Sequence, residues 1–135
     1  MSDYELVPEP PDVDSYVKLR AAAGLSKRSR RAAEVGLAGT WFGVHVVHRD
    51  RVVAMGRVIG DGGSFFQVVD VAVAPDFQGK GLGKQVMGAL MDRLREKAPS
   101  TAQVTLLADG TAGRLYEKFG FRSTAPGSIG MLLQL

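Results

Sequence analysis

The segment Val68–Lys84 constrains the chain more than any other. It runs as an apolar stretch, Val68-Val69-Asp70-Val71-Ala72-Val73-Ala74, stops at Pro75, and enters a helical pattern through Gln78-Gly79-Lys80-Gly81-Leu82-Gly83-Lys84. Leu82, Val86, Met87, Leu90, Met91 and Leu94 then recur at helical spacing as far as Ala98-Pro99, which predicts a helix with one apolar stripe laid on a sheet. A buried-type strand, a tight turn and a helix start leave few architectures. Glycines at alternate positions strip the turn of side chains, so backbone N–H groups can close around an anion. Lys80 and Lys84 add positive charge where the helix dipole is already positive. That arrangement is favourable once an anion arrives, and a polyphosphate fits it. A dinucleotide GxGxxG pattern fails, because the third glycine site is Lys84 or Val86. A P-loop fails as well: the turn is too short, and Gln85 stands where Ser or Thr is needed.

The remaining sequence supplies a sheet for this unit. Tyr4–Val7 reads as a strand closed by prolines, and Asp12 caps a helix ending near Gly24. Ser26 is expected to cap a second, basic helix that stops around Gly36. Trp41–Val47 and Arg51–Ile59 read as a hairpin around His48-Arg49-Asp50, and Phe65–Ala74 as a third strand after Gly60-Asp61-Gly62-Gly63. Val104–Ala108 is expected as a strand and Thr111–Phe119 as a short helix stopped by Gly120. Strands at Phe121–Ser123 and Ile129–Leu133 complete the pattern. The fold class is α/β, with a crossover unit grafted onto an antiparallel meander. At 135 residues the chain is expected to form a single domain, 1–135. Zero cysteines exclude a disulfide scaffold, a Cys-ligated zinc site and a catalytic thiol. With His45 and His48 the only histidines, no metal site is expected. No apolar run approaches a membrane span, and the acidic, polar start is wrong for a signal peptide, so the expectation is a soluble, cytoplasmic protein. Seventeen basic against fourteen acidic side chains leave +3. The densest basic cluster, Lys27, Arg28, Arg30 and Arg31, has no interleaved aromatics, so no nucleic-acid partner is expected.

Three pieces in this order carry a resemblance. Gln78-Gly79-Lys80-Gly81-Leu82-Gly83 resembles the Q/R-x-x-G-x-G/A pyrophosphate loop of the GNAT superfamily of acetyl-CoA-dependent N-acetyltransferases. Asp70-Val71-Ala72-Val73 is similar to that family's bulged fourth strand. Leu115-Tyr116-Glu117-Lys118-Phe119-Gly120-Phe121 resembles its signature of a Tyr on a short helix ending at Gly-Phe. The resemblance implies a mostly antiparallel mixed sheet with a V-shaped cofactor cleft between central strands. It implies that the pantetheine arm of acetyl-CoA pairs with Val71, Ala72 and Val73. It places the pyrophosphate on the amides of Gln78, Gly79, Lys80, Gly81, Leu82 and Gly83, with Lys84 close by. Asp109 stands where the family often has an Asn contacting the cofactor arm, seven residues before the Tyr.

Acetyl transfer to an amine needs a neutral nucleophile, a stabilised oxyanion and a proton for the departing thiolate. Backbone N–H groups of Val71 or Val73 would serve the oxyanion, and Tyr116 resembles the family's general acid. A phenol with a reference pKa of about 10 is protonated at neutral pH and can donate. Asp70, a carboxylate in an apolar strand, is the candidate base; it could equally hold the turn or pair with Arg57. Leu25, Trp41, Phe42 and Arg57 are candidates for the acceptor pocket, with Trp41 and Phe42 equally readable as plain core. The activity implied is acetylation of a small-molecule primary amine. A protein or peptide N-acetyltransferase and a non-catalytic acyl-CoA-binding module stay open beside it. No membrane partner is expected, and a homodimer is one arrangement the resemblance implies.

Overall fold

The computed structural model describes residues 3–135. Five strands form one sheet in the order β1-β2-β3-β4-β5: Tyr4–Val7, Phe42–His48, Arg51–Gly60, Phe65–Val73 and Gln103–Thr105. The first four are antiparallel neighbours, and β5 pairs parallel with β4. The expected α/β class and mostly antiparallel sheet are both present. Arg49 and Asp50, both at positive φ, make the two-residue connection between β2 and β3, the twist-matched geometry that short hairpins favour.

Helices α1 (Val13–Ala22), α2 (Arg30–Ala38), α3 (Leu82–Lys97) and α4 (Gly113–Glu117) complete the order. Asp12 caps α1 as expected, its carboxylate accepting from the Ser15 amide at 2.7 Å. The cap of α2 is Ser29 rather than Ser26: the Ser29 hydroxyl accepts from Ala32 N at 3.1 Å. Ser26 is engaged elsewhere, as described below. The predicted stripe on α3 is buried in full, with Val86, Met87 and Leu90 packed among Val44, Val46, Val58 and Phe66. Tyr16, Leu19, Ala33, Met55 and Ala72 form a second apolar cluster with α1 and α2.

Beyond β5 the expectations need correction. The strand foreseen at Val104–Ala108 is limited to Gln103–Thr105, and Phe121–Ser123 and Ile129–Leu133 form no strand. A strand exists only where a neighbour takes its backbone groups. The sheet stops at β5, and residues 129–135 make no backbone–backbone hydrogen bond among the described residues. Met131 and Leu133 stand 87% and 82% exposed.

Candidate active site

The register between β3 and β4 slips once. Ala54 faces Val73 and Met55 faces Ala72, but Arg57 faces Val69, so Gly56 lies opposite both Asp70 and Val71. This is a β-bulge, and Asp70 takes the left-handed conformation there, φ +59°. On its other side β4 pairs with β5 only from Phe65 to Gln67. From Val68 to Val73 that edge has no strand beside it, and a slot opens. Ala74 donates to Val53 O of β3 at 2.8 Å. Backbone alternation therefore turns the N–H and C=O of Val73, and of Val71 two residues earlier, toward the slot. The Gln78 side chain donates to Val73 O at 3.1 Å, fixing the turn to the strand end.

The turn that follows is open. Gly79 and Gly81 have φ of +79° and +82°, and a Cβ at either would meet nothing within 4 Å. Gly81 is the N-cap of α3, with no side-chain cap and no acidic residue in the first turn, so the early amides keep their hydrogens for a ligand. Gly83 lies closer in, with Leu115 Cδ2 3.6 Å and Val73 Cγ2 3.8 Å from a Cβ placed there. A cavity of ≈ 410 Å³ runs along this turn, lined by Val73, Gln78, Gly81, Lys84, Leu115 and Lys118 among others. Lys80 and Lys84 are exposed at its rim. Lys118 reaches the cavity from α4 and was not singled out in the sequence; its place beside Tyr116 was the available signal.

Tyr116 is half-buried on α4, its ring edge-on to Phe121 with centroids 6.4 Å apart. Its hydroxyl makes no hydrogen bond among the described residues. Burial first, and the negative charge of Asp109 second, raise its pKa above the ordinary phenol value, so it stays a proton donor. Asp109 itself is exposed, its carbonyl accepting from the Ala112 amide at 3.0 Å.

Asp70 is the surprise. One carboxylate oxygen accepts from the Tyr16 hydroxyl at 2.7 Å and from Arg57 Nε at 2.8 Å. The other is bonded to Arg20. Both arginines continue outward. Arg20 donates to Ser26 O at 2.6 Å, and Arg57 to Gly36 O at 3.1 Å and Thr40 Oγ1 at 2.8 Å. The side chains of Asp70, Arg20 and Arg57 are only 6–8% exposed. Of these contacts only the Arg57 pairing was foreseen; Tyr16 and Arg20 lie too far along the chain for any local pattern to reveal.

The four acceptor-pocket candidates do not converge. Leu25 packs on the cluster of Tyr16 and Leu19, and Arg57 is spent on Asp70 and α2. Trp41 stacks edge-on to Phe66 at 4.8 Å, and Phe42 lies under Arg93 of α3 at 4.3 Å. Trp41 and Phe42 thus pack with the α3-side core. No group of metal-ligating side chains exists among the described residues, and none of their helices is long and apolar enough to cross a membrane.

Residues 40–123, more than half the chain, match the family described as "Acetyltransferase (GNAT) domain". The chain belongs to the GNAT acetyltransferase family. It is 32% identical over 114 residues to "Uncharacterized N-acetyltransferase ycf52" of Porphyra purpurea, covering 82% of this chain and 64% of that protein. It is 33% identical over 125 residues to "GCN5-related N-acetyltransferase 1, chloroplastic" of Arabidopsis thaliana, covering 90% and 61%. The chain thus spans less than two thirds of the length of these curated relatives. The crystal structure of the probable acetyltransferase SA2161 from meticillin-resistant Staphylococcus aureus is 40% identical, with a TM-score of 0.93 over 98% of this chain and 99% of that one. The fold is therefore held in common with a solved structure over nearly the whole chain.

Proposed function

We propose that this GNAT domain transfers the acetyl group of acetyl-CoA to the primary amine of a small molecule by direct attack. One observation carries the reading: among the described residues the unpaired edge of β4 runs straight into an uncapped, glycine-lined helix N-terminus, and α4, the helix that bears Tyr116, contributes Leu115 to the same cavity. The amides and carbonyls of Val71 and Val73, with Ala72 between them, suit the peptide-like pantetheine arm. The amides from Gln78 to Gly83 suit the pyrophosphate, with Lys80, Lys84 and Lys118 supplying charge. A slot-facing amide of the bulge would receive the oxyanion, and Tyr116 the role of acid toward the thiolate. Asp70 fits a brace for the bulge better than a base, because both its oxygens are already taken; water is then the proton acceptor.

Arg20 ties the α1–α2 connection to the bulge by bonding both Ser26 and Asp70. A second reading has support in the names of relatives, among them a "[Ribosomal protein bS18]-alanine N-acetyltransferase" of Haemophilus influenzae, 38% identical over 52 residues. The test is thiol release from acetyl-CoA with a panel of small amines and of peptides bearing free α-amino or lysine groups. Small amines should be turned over, and Tyr116→Phe should lower kcat by roughly 10²-fold. Turnover confined to peptides would replace the small-molecule reading, and unaltered kcat in Tyr116→Phe would remove the acid. We further propose that a second copy of the chain covers the exposed stretch 129–135.

A further inference from the structure

We propose that the buried cluster under the bulge acts through its unbalanced charge: Arg20 and Arg57 share the single carboxylate of Asp70, and the surplus positive charge keeps the bound acceptor amine neutral. The inference rests on the acetyl-transfer reading and adds a role for residues that touch neither substrate.

The groups facing the cluster can be named from every side. Helix α1 contributes Arg20 and Tyr16, β3 contributes Arg57, and β4 contributes Asp70. The connection after α1 contributes Ser26, whose hydroxyl accepts from Arg20 at 3.2 Å and from Arg28 at 2.9 Å, the exposed Arg28 lying outside the buried cluster. The end of α2 and the residues after it contribute the neutral acceptors Gly36 O and Thr40 Oγ1. The guanidiniums are permanently charged, and the Asp70 carboxylate is ion-paired with both. Tyr16 donates to Asp70, and burial, followed by that hydrogen bond, raises its pKa, so it stays neutral. The sum is +1 in a region almost closed to water, where screening is weak. Asp70 is also the residue whose backbone makes the bulge, so this charge lies beneath the amides assigned to the oxyanion.

An amine of pKa about 10 is mostly ammonium at neutral pH. Next to a fixed positive charge the ammonium is disfavoured and its pKa falls. One proton leaves the ammonium to water, the freed lone pair bonds to the thioester carbonyl carbon, the nitrogen gives a second proton to water, and the C–S bond breaks with its electron pair on sulfur. The thiolate then takes a proton from Tyr116. The same positive charge favours the oxyanion formed between those steps, so Arg20 and Arg57 are positioning residues acting through the field.

The sign of the charge separates this role from a base at Asp70. With the fastest small amine of the panel at saturation, the acidic limb of kcat reports the bound amine. Asp70→Asn takes the cluster to +2 and should move that limb to lower pH, on the order of one unit. Arg20→Gln takes it to zero and should move the limb up by a similar amount. The limb position is read from folded molecules, so partial unfolding lowers the amplitude without hiding the shift. Should Asp70→Asn fail to fold, Arg20→Gln decides the matter alone. An upward shift in Asp70→Asn, or a limb that does not move in Arg20→Gln, overturns the proposal while acetyl transfer stands. A wild-type protein that acetylates no amine overturns the acetyl-transfer reading and this inference with it.

Discussion

Tyr116 sits on a helix of five residues, half-buried, with its hydroxyl facing no acceptor among the described residues. In the proposed role of acid it must be protonated, so kcat should fall as pH rises through its pKa. Burial sets most of the upward displacement and the Asp109 carboxylate the rest. Asp109→Asn removes the second cause only. The alkaline limb of kcat should therefore move to lower pH, by a fraction of a unit because Asp109 is exposed. A limb that stays in place would mean that the proton comes from another group. At this scale the sequence was legible wherever the signal was local. Gly79, Gly81 and Tyr116 sit in short patterns whose spacing already describes the geometry. Asp70 could be recognised as out of place in an apolar strand, but Tyr16 and Arg20, which saturate it, come from more than a helix away.

The proposed anion site at the start of α3 depends on the N-cap residue. Gly81 holds φ +82° with empty space in front of it, a conformation that a β-branched residue adopts only under strain. Gly81→Val should raise the dissociation constant for coenzyme A at least tenfold, about 1.4 kcal/mol, in a protein whose far-UV circular dichroism is unchanged. Unaltered calorimetric affinity would place the pyrophosphate elsewhere. Elements built on periodicity, α3 above all, were readable because one face must be apolar. The cap of α2 was not, since Ser26 and Ser29 offer the same chemistry. What separates them is Arg20 of α1, which lies six residues before Ser26 and donates to both its carbonyl and its hydroxyl. The missing strands after β5 have a similar cause: Phe121–Ser123 and Ile129–Leu133 have strand composition, but composition does not supply a neighbour.

At the scale of the whole molecule that missing neighbour becomes a prediction. Ile129, Met131, Leu133 and Leu135 occupy every second position of the exposed stretch, the period of a strand with one apolar face. The outer edge of β5 is unpaired, and Leu107 just beyond it is 58% exposed. The likeness to the S. aureus structure extends over 98% of this chain, so it takes in most of that stretch. Gly130 already lies against Leu107 within the chain, a Cβ there standing 2.8 Å from Leu107 Cδ2, so a second copy would cover the outward side of this stretch under one two-fold axis. Sedimentation equilibrium should find a dimer for the wild type and for Leu132→Asp, whose position lies on the other face, and a monomer for Leu133→Asp. A monomeric wild type would refute the pairing. The core itself allows less freedom than this exposed edge. A Cβ on Gly56, opposite the bulge, would stand 2.6 Å from Val86 Cγ1 and 3.1 Å from Leu90 Cδ1. Positions 56 and 86 are therefore coupled in any drift of this sequence: a methyl can be gained at one only as volume is given up at the other, and each uncompensated step displaces the helix whose first turn is proposed to receive the phosphates.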